Sequence, residues 1–293
     1  MMRPLLSLFL IVIAPAILLA QRFTYPVLPD SIFDRQERIA YMATNFWNEM
    51  SIADTANFQH PALLLDYLYL LKQSDEKGQN SYTKSFVSLA CKEKQTFGLI
   101  LYWLDQILYD SSSPHYDEEL YLRLMTEVVL SKADSVMKLI PAERVKIMSQ
   151  NRIGRPANDF CYVDKRGKQH KLYEVEAPLL LLVFNNPDCS LCHHAEEAMT
   201  GNTLLQDMQK RGLLSILAIA PDADFEEWKK HKYPSSWLTG IDKEGAIYST
   251  RLYDIQRLPC IYLLDKDKQV LLKEADYGRL IAYLEKHYAT FSR

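Results

Sequence analysis

Apolar residues along this chain change their spacing partway through it. Up to about residue 150 they recur with a helical period. Ile39, Met42, Ala43 and Phe46 stand at i, i+3, i+4 and i+7, the face of one helix. Ala62 to Leu71 is apolar nearly all round, which predicts a buried helix. Phe97, Ile100, Leu101, Leu104 and Leu108 form a third face. Ser113-Pro114 reads as an N-cap and first helical position. Asp117, Glu118 and Glu119 suit the positive end of that helix's dipole, and Tyr121, Leu124, Met125 and Val128 its buried face. No alternating strand pattern, repeat or low-complexity tract interrupts this region.

Gly154 and Pro156, within residues 151–158, break the helical period. Short apolar runs come next. Phe160 to Val163 and Lys171 to Tyr173 flank a polar turn and predict a hairpin. Leu179 to Phe184 is an unbroken apolar run, as a strand covered on both faces would be. Leu213 to Ile219 is a second such strand, and Asp224 to His231 a second helix after the one that begins near Cys189. Pro259 and Cys260 lead into Ile261 to Leu264, a turn at 265–268, and Gln269 to Leu272; Tyr277 to His287 closes the chain as a helix. The expected order is β-β-α-β-α-β-β-α, an α/β domain with a mixed sheet and helices on both faces, preceded by an all-α domain. The divisions expected are a leader at 1–20, a helical domain at 21–150 and the α/β domain at 151–293.

The leader carries Arg3, an apolar run from Leu5 to Leu19, and Ala20 before polar Gln21-Arg22, the pattern of a cleavable signal peptide. The alternative is an uncleaved membrane anchor, against which the shortness of the run counts. Export implies the periplasm, where disulfides persist. At 293 residues with a net charge of −3 and no long basic patch, the chain has room for two domains and gives no sign of a nucleic-acid partner.

The chemistry concentrates after the strand 179–184. Asn185 to Asp188 makes a turn, and Cys189-Ser190-Leu191-Cys192-His193-His194 opens a helix. Cys189 falls at the first turn, where free N–H groups and the helix dipole favour a thiolate, and Cys192 lies on the same side. The pair can close and open a disulfide. Three other readings compete. Cys-x-x-Cys-His is also the covalent haem pattern, but the strand–helix setting is wrong for it, and the methionines after it, Met199 and Met208, lie on the helix just beyond. Zinc or copper could use His193 and His194, yet adjacent helical residues point apart. A structural disulfide in a binding module is the fourth. No cofactor or metal is therefore expected. Cys91 reads as a core thiol, and Trp47, Tyr67, Tyr69, Tyr102 and Trp103 as core aromatics.

The strand, the cysteine pair and Pro259 together resemble thioredoxin-fold proteins, of the thiol–disulfide reductase type in the bacterial periplasm. The preceding helical part is similar to an N-terminal domain of unknown function in exported two-part proteins. Tyr41 to Trp47, Leu108 to Asp110, Ser113-Pro114 and Glu118 to Tyr121 carry that likeness. The resemblance implies thiol–disulfide exchange, more as a reductase than as an oxidase, with Cys189 attacking and Cys192 resolving. It implies a cis bond at Pro259, where the residues alone suggest trans, and a substrate groove beside it. His193, Asp188 and Cys260 are candidate modulators; the competing readings are a plain helix-surface histidine for His193 and, favoured for Cys260, a small apolar side chain filling the strand. The implied partners are exported proteins bearing disulfides or thiols, and a membrane or periplasmic electron donor. Two departures stand out: Asp188 replaces a tryptophan, and Val183 replaces a buried acid. They support the alternative of a binding or scaffold module without turnover.

Overall fold

The computed structural model describes residues 24–48 and 50–291; the expected signal peptide at 1–20 lies outside the described residues. Among the described residues no helix is long and apolar enough to cross a membrane.

Among the described residues, six α-helices form the first part: α1 (Arg35–Asn45), α2 (Ala62–Gln73), α3 (Glu76–Ala90), α4 (Lys94–Leu104), α5 (Glu118–Leu130) and α6 (Leu139–Met148). Asp34, Asp75 and Asp117 cap α1, α3 and α5 through side-chain oxygens that accept backbone N–H groups. Their core holds an aromatic cluster in which Trp47 stacks on Phe86 at 5.2 Å and meets Tyr67 edge-on at 5.0 Å. Tyr69 and Tyr102, expected inside, are 63% and 53% exposed, because they occupy the outer faces of α2 and α4. Trp103 is half-buried and donates to the Phe58 carbonyl. Cys91 packs against this core.

The expected helix start at Ser113-Pro114 is corrected. Residues 111–116 form turns, and α5 begins at Glu118 behind Asp117. The Ser113 hydroxyl instead donates to the Ile107 carbonyl at 2.6 Å. Before it, α4 passes into a single wider π-helical turn at Asp105–Tyr109. Such turns occur often at functional sites.

The second part is an α/β unit: β1 (Cys161–Val163), β2 (Gln169–Lys171), β3 (Leu179–Phe184), α7 (Ser190–Gly201), α8 (Thr203–Lys210), β4 (Leu214–Ala220), α9 (Phe225–Lys230), β5 (Leu238–Ile241), α10 (Ala246–Ser249), β6 (Cys260–Asp265), β7 (Val270–Ala275) and α11 (Tyr277–Phe291). The sheet order is β2-β1-β5-β4-β3-β6-β7. The central strands β3, β4 and β5 run parallel, and β6, β7 and β1 run antiparallel to their neighbours. Strand β5 has no counterpart in the sequence pattern. It is short, and Gly240 leaves no side chain to read. A Cβ there would lie 2.2 Å from the Tyr162 ring, so only glycine fits.

Alternate residues of each strand feed two cores. Leu179, Leu181, Val183, Ile261 and Leu263 pack with Met199 of α7, Leu205 and Met208 of α8, and Leu280 and Leu284 of α11. Leu180, Leu182, Phe184, Cys260 and Tyr262 pack on the opposite face with Ile247 of α10 and Tyr253.

The two parts are joined by an ordered strap. Asn151 adopts positive φ (49°), donates to the Leu252 carbonyl at 2.7 Å and accepts from Asn158 N at 2.7 Å. Gly154 N bonds the Val270 carbonyl at 2.8 Å, and Pro156 bridges to Gln269 beside β7. A buried lysine plugs the joint: Lys273 of β7 donates to Glu118 Oε1 at 2.6 Å and to the carbonyls of Met148 and Gln150. Its charge is paired and its N–H groups are used, as burial of an ammonium demands.

Candidate active site

Strand β3 is buried along its whole length between β4 and β6, so its end fixes where the turn to α7 starts. Asn185 N continues the pairing to the Ile219 carbonyl at 2.9 Å. The chain then turns. The Asn186 side chain accepts from Asp188 N at 3.0 Å, and its carbonyl accepts from Cys189 N at 3.0 Å. Cys189 is the N-cap of α7 with extended φ and ψ, and its sulfur accepts from Cys192 N at 3.1 Å. A thiolate at this atom would sit on that N–H group at the positive end of a helix.

Cys189 and Cys192 are joined by a disulfide, with Cα atoms 5.2 Å apart. The two sulfurs are not equivalent. Cys189 is half-buried, whereas Cys192 is 4% exposed. Leu191 between them is 63% exposed and offers an apolar contact at the rim. The Leu258 carbonyl oxygen lies 3.8 Å from Cys189 Sγ, and the Leu258–Pro259 peptide is cis. In the disulfide this sulfur has no proton; once reduced, its thiol would have that carbonyl within reach. The structure thus brings Cys189, Cys192 and the loop carrying Pro259 together.

The three candidate modulators fall in different places. His193 Nε2 lies 2.6 Å from the Pro187 carbonyl, so that nitrogen carries the proton and ties the helix to the turn before Cys189. Its ring meets His231 edge-on at 5.1 Å, and His231 Nε2 faces Glu196 Oε2 at 3.1 Å. His194 is exposed. Asp188 is exposed, with its backbone held by Asn186. Cys260 fills its strand rather than facing the pair. Its side chain belongs to the core on the sheet face opposite α7, it is 5% exposed, and burial pushes its pKa well up. Val183 lies in the core on the α7 face, so no acid occupies that position beneath the helix.

Sequence reasoning missed the joint beside this site. Tyr109 donates to Asp254, Gln256 Nε2 donates to the Tyr109 carbonyl at 3.0 Å, and Ser111 N donates to Gln256 Oε1 at 3.2 Å. Arg257 pairs with Asp110. The loop that ends at Pro259 is thus held by the helical part. Asp254 is 4% exposed and Glu274 7% exposed; burial first, then the charge of Asp254, pushes Glu274 up to about 8. A single acid such as Asp254, between Tyr253 and Ile255, gives little signal in sequence. Residues 108–110 and 118–121, which carry part of the family likeness, supply Tyr109, Asp110 and Glu118 to this joint.

Comparison with known proteins bears on both parts. Residues 12–151 match a domain of unknown function, DUF5106. A thioredoxin-like protein from Bacteroides caccae, solved by crystallography, is 31% identical over 90% of this chain and 98% of its own, with a TM-score of 0.79. The C-terminal domain of an uncharacterized protein from Bacteroides fragilis is 37% identical over 46% of this chain and 98% of its own, with a TM-score of 0.45. The thioredoxin domain of a thiol-disulfide oxidoreductase from Bacteroides vulgatus is 20% identical over 46% of this chain and 96% of its own, at a TM-score of 0.39. No curated protein matches the chain.

Proposed function

This chain belongs to the thioredoxin-like proteins, and on that premise we propose that it reduces disulfides in partner proteins through Cys189 and Cys192. The observation that carries the reading is the asymmetry of the pair: an N-capping, half-buried Cys189 bonded to a buried Cys192, beside the Leu258 carbonyl.

In the reduced protein the Cys189 thiolate attacks one sulfur of the partner's disulfide. A Cys189–partner bond forms, and the partner's other sulfur leaves as a thiolate and takes a proton from water. Cys192 then loses its proton and attacks Cys189. The second partner sulfur leaves, and the Cys189–Cys192 bond closes. Two electrons have passed to the partner. With Val183 beneath the helix, the Cys192 proton goes to water or to the departing thiolate. A dithiol of an electron-donor protein restores the pair. Pro259 and the exposed Leu191 flank the place where the partner chain would lie.

The reaction belongs outside the cytoplasm, where partner disulfides persist. The apolar run ending at Ala20 supports export, and N-terminal sequencing of the exported protein should start at Gln21 rather than Met1. The activity itself is tested by insulin reduction with a small dithiol as donor. Precipitation of the insulin B chain well above the donor-only rate, lost in Cys189→Ser, supports turnover. A rate equal to the donor alone contradicts it and favours a binding module.

A further inference from the structure

The helical and α/β parts enclose a polar groove of about 540 Å³. Gln106, Tyr109 and Arg144 line it on the helical side, and Arg251, Asp254 and Arg257 on the other. Its volume falls in the range of about 300–1,000 Å³ typical of binding sites. The floor is rigid. Tyr109 donates to the buried Asp254 and accepts from Arg144 Nη1 at 2.7 Å, and the Arg144 guanidinium lies 3.8 Å over the Tyr109 ring. One wall of the groove belongs to the loop beside the disulfide. Arg257 adjoins Leu258, whose carbonyl oxygen is 3.8 Å from Cys189 Sγ.

We infer that this groove receives the polypeptide flanking the target cysteine, so that the helical domain selects the substrates of the redox pair. The inference rests on the thiol–disulfide reading of Cys189 and Cys192. A segment bonded to Cys189 through its own cysteine and running extended beside 256–258 gains about 3.5 Å per residue. Because Arg257 is next to Leu258, such a segment passes the groove wall beside it. The chemistry of the lining names the segment. Arg144, Arg251 and Arg257 each face an acid, Asp105, Glu143 and Asp110, but each guanidinium has five donors and such surface pairs hold weakly. Asp254 is 4% exposed and already engaged by the Tyr109 hydroxyl. A carboxylate on the incoming segment therefore finds unused donors. The occupant is a polar, acidic stretch of a protein substrate.

Gln106 is exposed on the groove wall and has no part in the redox site, so it can be changed without unfolding the chain or touching the chemistry. The test uses the full chain with Cys192→Ser and a randomised pool of cysteine-containing peptides activated as pyridyl disulfides. Captured peptides are sequenced, and reactivity with dithiodipyridine alone reports the Cys189 thiol. The expected result is enrichment of Asp and Glu near the captured cysteine by about threefold, equivalent to a modest binding preference. Gln106→Trp should abolish that enrichment by bulk, and Gln106→Glu should reduce it by charge, with dithiodipyridine reactivity unchanged in both. Identical captured peptides in all three proteins, or no preference in any, would overturn the inference while leaving the redox reading intact. Failure to react even with dithiodipyridine would mean that the redox reading has fallen, and this inference with it.

Discussion

Tyr109 of the helical part donates its hydroxyl to both carboxylate oxygens of Asp254, at 2.9 and 3.0 Å, across the joint between the two parts. Asp254 sits in the loop that leads to Pro259, so the helical part reaches the redox site through this bond. Tyr109→Phe leaves a buried carboxylate short of its donor. Such a loss costs about 1–3 kcal/mol. Urea unfolding should show that decrease, and insulin reduction should slow as the loop loosens. An unchanged midpoint and rate would mean that the joint does not hold the loop.

Glu274 makes stability depend on pH. It lies among Asp254, Lys273, Glu118, Tyr116 and Tyr262, and burial raises it from an ordinary 4.5 to about 8. The folded chain therefore keeps a proton that the unfolded chain releases. Its contribution to stability is complete below pH 4.5 and is lost as pH rises through about 8. Urea unfolding at pH 5, 7 and 9 should give falling stability for this protein and a flatter profile for Glu274→Gln. Parallel profiles would place the pH dependence elsewhere.

How much of the fold and the site could be read in the sequence depends on how local each signal is. The buried run of β3, the turn at 185–188 and the cysteines of α7 are neighbours in the chain, and their period and turn chemistry are enough to place them. The antiparallel pairing of β6 with β3, which brings Leu258 to Cys189, was legible only through the family resemblance. Short β5 gave no pattern because Gly240 serves a contact with Tyr162. The joint was illegible for another reason. Tyr109 and Asp254, or Glu118 and Lys273, meet only when both parts are folded. Cys260 next to Pro259 offers two readings, a third thiol near the pair or, the favoured one, a strand-filling side chain, and strand alternation turns it to the face opposite α7.

That placement gives a direct expectation for Cys260→Ala. The redox potential of the Cys189–Cys192 pair and the rate of insulin reduction should match the unaltered protein. Stability should fall by about 1 kcal/mol for the lost packing. A shifted potential in a thiol-buffer titration would show that Cys260 communicates with the pair after all.

The central claim is that Cys189 attacks and Cys192 resolves, and trapping in cells measures it most directly. Cys192→Ser keeps the half-buried nucleophile at the helix N-cap and removes resolution, so mixed disulfides with partner proteins should accumulate on non-reducing gels and vanish with reductant. Cys189→Ser leaves only the buried Cys192, 4% exposed, which should trap little. Mass spectrometry of the trapped bands would identify the partners. Equal trapping by both variants, or none by either, would contradict the assignment.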